Sequence, residues 1–112
     1  MTVLSLTITD HPAVTVIALN GEIDALTADH LRQAIDQALA RGRTHLVVDT
    51  AGLGFCDSLG LHTLIAGQRR AASAGGSLRL VHAHGYLQRL LELTQLTGLF
   101  PRDPQSEQLL VR

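Results

Sequence analysis

The segment VVDTAGLGFCDSLGLHTLI, residues 47–65, contains the junction that decides the fold. It begins with an apolar run, reaches Asp57 and Ser58, and continues through Gly60 into apolar residues at helical spacing. Such a change from a buried strand to an amphipathic helix is typical of one unit of an α/β domain. A hydroxyl at this junction can cap the helix, act as a nucleophile or accept a modification.

The composition is that of a globular domain without disulfides. Of the 112 residues, 46% are hydrophobic and 17% are charged, and we expect a single domain over residues 1–112. The one cysteine, Cys56, has no partner for an intramolecular disulfide, and neither a signal-peptide pattern nor an apolar run of about 18 residues is present. The sequence therefore predicts a cytoplasmic protein that does not insert into membranes.

The charge pattern argues against direct nucleic-acid binding. The nine basic residues are all arginines and, apart from the pairs Arg41/Arg43 and Arg69/Arg70, are scattered along the chain, and the formal net charge is −1. Aromatic residues make up only 3% of the chain, so platforms for base stacking are absent.

The order of segments predicts an N-terminal hairpin followed by βα units. VLSLTIT alternates Leu4, Leu6 and Ile8 with polar residues, and VTVIAL follows after a short turn, so these two strands should pair antiparallel. HLVVD and SLRLVH predict two further strands. We expect an α/β fold whose mixed sheet of four to five strands is covered by three to four helices, with the last strand at residues 99–100 and the last helix from Asp103.

Three longer helices are predicted from apolar spacing and end signals. The first follows Thr27 as its N-cap and ends near Gly42, the second spans residues 58–74, and the third spans residues 85–98. Their buried sides should include, in the first two helices, Leu31, Ile35, Ala38, Leu39, Leu61, Leu64, Ile65 and Ala72. Because parallel strands end at one edge of a sheet, GFCDS should lie on that rim of the domain.

Ser58 has three possible roles on local grounds. Asp57 or Ser58 could simply cap the second helix, because a side-chain oxygen there accepts an otherwise unpaired backbone N–H. A serine hydrolase would need the turn G-x-S-x-G, but Cys56 occupies the first glycine position, and the acids Glu92 and Asp103 are followed by no histidine. A phosphate on Ser58 would be stabilised by the helix N-terminus.

Phosphorylation would also change the charge around Ser58. A phosphate carries about two negative charges, and it would lie beside Asp57 and, if the loops share one rim, near Glu22 and Asp24. Such a negative patch would repel a partner that had docked there, so the position suits a switch that works by charge.

No cofactor or metal is predicted. His82 and His84 could lie on one face of a continued strand and approach Cys56, but their spacing is not diagnostic of a metal site. Cys56 is most simply a core residue. The glycine-containing stretches 52–54 and 74–76 lack nucleotide-binding frameworks, and we interpret them as loop residues.

The chain resembles the STAS domain, specifically the free-standing bacterial anti-anti-sigma factors, or anti-sigma factor antagonists. The resemblance covers nearly the whole chain through LNGEIDALTADHLRQAI, HLVVDTAGLGFCDSLGL and GGSLRLVHAHGYLQRLLELTQLTGLF. Its most specific part is DTAGLGFCDSLGL, which is similar to the family pattern D-[LFT]-x-x-[VL]-x-[FY]-[ILM]-D-S-[ST]-G-[LI]. Leu59 departs from this pattern by replacing a small hydroxyl residue, and Cys56 replaces a larger aliphatic residue.

This resemblance implies a partner-switching protein of transcription regulation and not an enzyme. Unphosphorylated, such a domain binds an anti-sigma factor, usually also a serine kinase, and so frees a sigma factor. The kinase phosphorylates the serine that aligns with Ser58, binding ends, and a PP2C-type phosphatase removes the phosphate. The implied partner-binding residues are Glu22, Asp24, Asp57, Ser58, Leu59, Gly60, Leu61 and His62.

A second hypothesis remains open beside partner switching. A STAS module can be a constitutive binding subunit of another assembly, such as one for lipid transport or signalling, in which Ser58 is only a helix cap. Whether Ser58 accepts phosphate distinguishes these two hypotheses, whereas labelling of Ser58 by an active-site serine probe would favour the hydrolase.

Overall fold

Four strands and three helices are present in the computed structural model, which describes residues 3–95 and residue 100. In chain order they are β1 Leu4–Asp10, β2 Thr15–Ile23, α1 Ala28–Ala40, β3 His45–Cys56, α2 Ser58–Ser73, β4 Ser77–Val81 and α3 Gly85–Leu93. The strands form one sheet in the order β1-β2-β3-β4, in which β1 is antiparallel to β2 and the other neighbours are parallel. The predicted mixed α/β sheet with its N-terminal hairpin is confirmed.

Some predicted elements fall outside the described part of the chain. The fourth helix, from residue 103, lies entirely outside it, and of the fifth strand only Phe100 is described. The third helix ends earlier than predicted, at Leu93. Gln95 follows with a φ of 58°, the left-handed conformation in which helices commonly end. No helix within the described ranges is long and apolar enough to cross a membrane.

Two strands extend further than the sequence predicts. β2 continues beyond Leu19 and β3 beyond Asp49, because Asn20 pairs with Gly52 and Ile23 with Cys56 across an irregular parallel register. The interpretation of residues 52–54 as a loop is therefore wrong. A Cβ at Gly52 would meet the Leu19 carbonyl oxygen at 2.8 Å, so the glycine permits the close approach of the two strands.

The core lies between the sheet and the helices. In α1, Leu31, Ile35 and Ala38 are buried as predicted and Leu39 is partly buried. In α2, Leu61 and Leu64 are buried and Ile65 is partly buried, but Ala72 is exposed and Ala71 lies in the core instead. Ala71 follows Leu64 by two helical turns, which places it on the inward face.

The end of α1 has the predicted glycine cap. Gly42 adopts a φ of 80°, its N–H donates to the Leu39 carbonyl at 3.0 Å, and the Arg43 N–H donates to the Ala38 carbonyl at 3.0 Å. These two bonds are the Schellman arrangement, which satisfies carbonyls that a helix end leaves unpaired.

The edge strand β1 is covered unevenly. Leu4 is 8% exposed and Leu6 is partly buried against the core, whereas Ile8 is 43% exposed. The predicted alternation of apolar and polar residues is present, but Ile8 lies outside the core.

Candidate functional site

The carboxyl ends of β2 and β3 lie side by side. Glu22 pairs with Phe55, and Ile23 pairs with Cys56, in the parallel ladder. The Asp57 N–H then donates to the Ile23 carbonyl at 3.1 Å, which joins the start of α2 to the loop after β2. We call the surface that these two segments form the Ser58 rim, defined by Glu22, Asp24, Leu26, Phe55, Asp57, Ser58 and Leu59.

Asp57 caps α2. Its backbone is extended, with a φ of −86° and a ψ of −175°, and its carboxylate accepts the Gly60 N–H at 3.0 Å. Its carbonyl accepts the Leu61 N–H at 3.0 Å, the first bond of the helix. Ser58 is the first helical residue, so the interpretation of Ser58 as the cap is wrong.

The Ser58 hydroxyl is left available to a partner or an enzyme. The side chain is exposed, and within residues 3–95 and residue 100 its oxygen has no hydrogen-bond partner. His62 lies one turn further along α2 and makes no hydrogen bond to it within the same ranges. A nucleophilic serine needs a base within hydrogen-bond reach, so the geometry does not favour a hydrolase.

Thr27 and Asp24 shape the acidic loop of the rim. The Asp24 carboxylate accepts the N–H groups of Leu26 and Thr27 at 2.9 and 3.2 Å. The Thr27 hydroxyl donates to the Glu22 carbonyl at 2.9 Å and accepts the Asp24 N–H at 3.0 Å. Thr27 occupies the N-cap position of α1, but its side chain makes no cap bond there, so it stabilises the loop rather than the helix.

Two predicted partner-binding residues are buried. Leu61 is 4% exposed, and a Cβ at Gly60 would lie 2.7 Å from both the Cys56 Sγ and the Ile23 Cγ2. Gly60 and Leu61 therefore hold the first turn of α2 against the sheet, and their side-chain positions are not presented to a partner.

The other α2 residues of the predicted set face outward. Leu59 is 50% exposed beside Ser58, and His62 is exposed one turn along. Both residues line a shallow groove between α1 and α2 that also contains the basic side chains of Arg32 and Arg70. Arg32 is paired with Asp29 and Asp36, and Arg70 with Asp36, so the positive charges of this groove are matched by carboxylates.

Exposed side chains with apolar surface in the loop after β2, at the end of β3 and in α3 were not predicted from the residue pattern. Leu26 is 77% exposed, and the rings of Phe55 and Tyr86 stack with centroids 5.3 Å apart and planes inclined by 12°. The family pattern has an aromatic residue at the position of Phe55, but no local signal indicates Tyr86, which is far away in the sequence. Apolar groups around charged ones are typical of a protein-binding surface.

The two histidines after β4 bind the backbone and a carboxylate of β3. The His82 Nδ1 lies 2.9 Å from the Asp49 Oδ1, and the His84 Nε2 lies 3.1 Å from the carbonyl oxygens of both Thr50 and Ala51. β4 ends before them, so they do not lie on one strand face. They fix the start of α3 against β3.

Cys56 is a core residue at the end of β3. Its side chain is fully buried, and desolvation, with a smaller effect of Asp57, raises the pKa of the thiol to about 12. A protonated thiol is a poor metal ligand. Within the described residues no group of three or more His, Cys, Asp or Glu side chains is arranged to hold a metal ion.

Comparison with known proteins identifies STAS domains and anti-sigma factor antagonists among the relatives of this chain. The family model described as "Mlab, STAS domain" matches residues 6–101. The anti-sigma F factor antagonist of Paenibacillus polymyxa is 29% identical over 92 residues, which are 81% of this chain and 79% of that protein. An anti-sigma factor antagonist from Mycobacterium paratuberculosis has a crystal structure that is 33% identical, with a TM-score of 0.82 over 97% of this chain and 92% of that one.

A protein of lower sequence identity has the same fold and was solved in its phosphorylated form. The Bacillus cell fate determinant SpoIIAA in its phosphorylated form is 20% identical to this chain. The TM-score is 0.72, and the match covers 98% of this chain and 100% of that one.

The cap assignment predicts different effects for two adjacent substitutions. Asp57→Ala should lower the free energy of unfolding by about 1 kcal/mol, because the Gly60 N–H loses its acceptor. Ser58→Ala should change it by less than about 0.5 kcal/mol, because the hydroxyl is exposed. Urea denaturation of both variants measures the difference, and equal losses would contradict the assignment.

The environment of Cys56 predicts an unreactive thiol. With its pKa raised to about 12 and its side chain buried, the thiol should resist iodoacetamide at about pH 8 in the folded chain. The same chain in guanidinium should be alkylated, since the unfolded pKa lies near 8.5. Mass spectrometry counts the adducts, and rapid alkylation of the folded chain would contradict the prediction.

Proposed function

The chain belongs to the STAS domain family, and we propose that it is an anti-sigma factor antagonist regulated at Ser58. In its unphosphorylated form it binds an anti-sigma factor and thereby frees a sigma factor, and phosphorylation of Ser58 ends this binding. The observation that carries the proposal is the division of roles at the start of α2. Asp57 caps the helix, and the exposed hydroxyl of Ser58 is free for modification.

A phosphate on Ser58 is compatible with the folded helix. The Gly60 N–H is already bonded to Asp57, but the N–H groups at the first two positions of a helix have no intrahelical acceptor. A phosphate with about two negative charges is stabilised there by these donors and by the helix macrodipole. Modification therefore changes the surface without requiring α2 to unfold.

The same phosphate disfavours a docked partner through charge. Glu22 and Asp24 flank Ile23, whose carbonyl is bonded to the Asp57 N–H, so the acidic loop after β2 is joined to the start of α2. A partner that complements this rim must offer positive charge to the carboxylates and apolar surface to Leu59. Added phosphate would have to be desolvated against that apolar surface, which is costly.

The enzymes of the cycle follow from the family resemblance. The anti-sigma factor itself acts as the serine kinase, and a PP2C-type phosphatase restores the hydroxyl. The phosphorylated structure of SpoIIAA supports this proposal, because a protein of this fold exists in a phosphorylated form. Leu59, in place of the small hydroxyl residue of the family pattern, adds exposed apolar surface beside the phosphoacceptor and tunes recognition by the kinase.

The protein acts by binding and not by catalysis. Its relatives are named as antagonists, which regulate another protein, and Ser58 has no base hydrogen-bonded to it within the described ranges. We place this activity in the cytoplasm, where sigma factors act, without direct contact to nucleic acid or insertion into a membrane.

A second candidate function is favoured by the description of the matching family model, which names Mlab beside the STAS domain. In that case the chain is a constitutive binding subunit of another assembly, and the Ser58 rim is a permanent docking surface. The two candidates differ in whether Ser58 is modified.

Incubation with ATP and the cognate anti-sigma kinase should add one phosphate to the chain. Intact-mass spectrometry measures the addition, which Ser58→Ala should abolish and the control Ser73→Ala, at the other end of α2, should leave unchanged. An unchanged mass of the wild-type chain would contradict partner switching and favour the constitutive subunit.

Two substitutions of Ser58 should distinguish the effect of added negative charge on binding from the effect of losing the hydroxyl. Ser58→Asp should weaken binding to the anti-sigma factor by about tenfold or more, whereas Ser58→Ala should retain it, because only the first adds charge to the rim. Ser73→Asp, which adds the same charge far from the rim, is the matched control. Surface plasmon resonance measures all three, and equal affinities of the two Ser58 variants would contradict the charge mechanism.

A further inference from the structure

The outer edge of β1 has the properties of a pairing strand. β1 is the first strand in the sheet order, and no other strand pairs with its outer side within residues 3–95. Residues 4–9 contain no charged residue and no proline, and their register with β2 is continuous, without a bulge. Charges, prolines and bulges are the devices that normally protect an exposed edge.

One backbone hydrogen bond shows which residues of β1 direct their N–H and C=O groups away from β2. The Glu22 N–H donates to the Val3 carbonyl at 2.9 Å, so Val3 and Glu22 are a hydrogen-bonded pair. Bonded and non-bonded pairs alternate along an antiparallel ladder. With the observed register from Leu4 opposite Gly21 to Asp10 opposite Thr15, the backbone N–H and C=O groups directed to the outer edge belong to Leu4, Leu6 and Ile8.

The same three residues carry the apolar row of the strand. Their side chains share the face on which Leu4 and Leu6 join the core, and exposure rises along the row from 8% at Leu4 to 43% at Ile8. The row is therefore covered at one end and uncovered at the other. If a second β1 ran antiparallel beside this one, the buried Leu4 of each copy would lie next to the exposed Ile8 of the other.

We propose that β1 pairs antiparallel with β1 of a second copy of this chain, about a two-fold axis at Leu6. A two-fold axis perpendicular to the sheet requires opposed residues to lie on the same face. Among such registers, the one centred on Leu6 pairs the outer-edge backbone groups of all three residues. Leu6 then lies opposite the partner's Leu6, and Ile8 lies opposite the partner's Leu4. The result joins the four described strands of each copy into one continuous sheet.

The charges of the strand favour a second copy as the occupant. Asp10 lies beyond the paired residues, where it is bound to Arg41 at 2.9 Å, so no like charges face each other across the axis. Among the described strands the other edge is β4, which is shorter and carries Arg79 at its centre. β1 is thus the edge suited to self-association, since its row complements itself and presents no charge to a partner.

This pairing leaves the proposed switch accessible. β1 is antiparallel to its copy, so the β2 strands of the two copies also run in opposite directions, and the two Ser58 rims lie at opposite ends of the joined sheet. Each copy therefore keeps its own rim, and phosphorylation of Ser58 does not alter the dimer.

Sedimentation equilibrium of the full chain tests the association. The mass of the wild type should rise with concentration from 12.0 kDa toward twice that value. Ile8→Lys should stay monomeric over the same range, because it places a charge on the paired edge at an exposed position, whereas the control Leu26→Lys should behave as the wild type. A wild type that stays at 12.0 kDa, or an Ile8→Lys variant that dimerises equally, would overturn the proposal.

Disulfide trapping tests the register without relying on a destabilising charge. In a Cys56→Ala background, Leu6→Cys should oxidise to a covalent dimer, because bonded antiparallel pairs have Cα atoms about 5.5 Å apart, within the range of disulfides. The matched variant Thr7→Cys, which lies opposite the partner's Ser5, should stay monomeric. Equal trapping at both positions, or none at residue 6, would overturn the Leu6-centred pairing.

Discussion

The hydrogen bonds of Asp57 connect every part of the fold that bears on function. Its carboxylate accepts the Gly60 N–H at 3.0 Å, and its own N–H donates to the Ile23 carbonyl at 3.1 Å. One residue thus starts α2, ends β3 and holds the loop after β2. The arrangement requires glycine at position 60, because a Cβ there would lie 2.7 Å from atoms of Ile23. Together with the β2–β3 ladder beside it, this junction sets the position of the acidic loop relative to Ser58.

Assigning the cap to Asp57 has a consequence for regulation. A serine that capped the helix would lose its bond on modification, and phosphorylation would then act partly by loosening α2. Ser58 is instead the first helical residue, where an anion is favourable and the cap stays intact. The proposed switch therefore works by charge at a preserved surface, with the exposed apolar side chain of the adjacent Leu59 remaining in place.

The sequence pattern predicted the order of strands and helices because alternation and helical spacing are local properties. The pattern gave the wrong structure where a residue's conformation depends on a neighbouring strand. Gly52 suggested a loop, but it pairs with Asn20 of β2 and is part of β3. It also left Asp57 and Ser58 equal as caps, because both carry an oxygen and only the backbone geometry separates them. The stack of Phe55 on Tyr86 joins distant parts of the chain and left no local signal.

The central claim is that one phosphate on a folded α2 decides whether the partner binds. Calorimetric titration of the cognate anti-sigma factor with wild-type chain, before and after stoichiometric phosphorylation at Ser58, tests it most directly. We expect the dissociation constant to rise by about a hundredfold on phosphorylation and to return after phosphatase treatment. Equal affinity of the two forms would contradict the account.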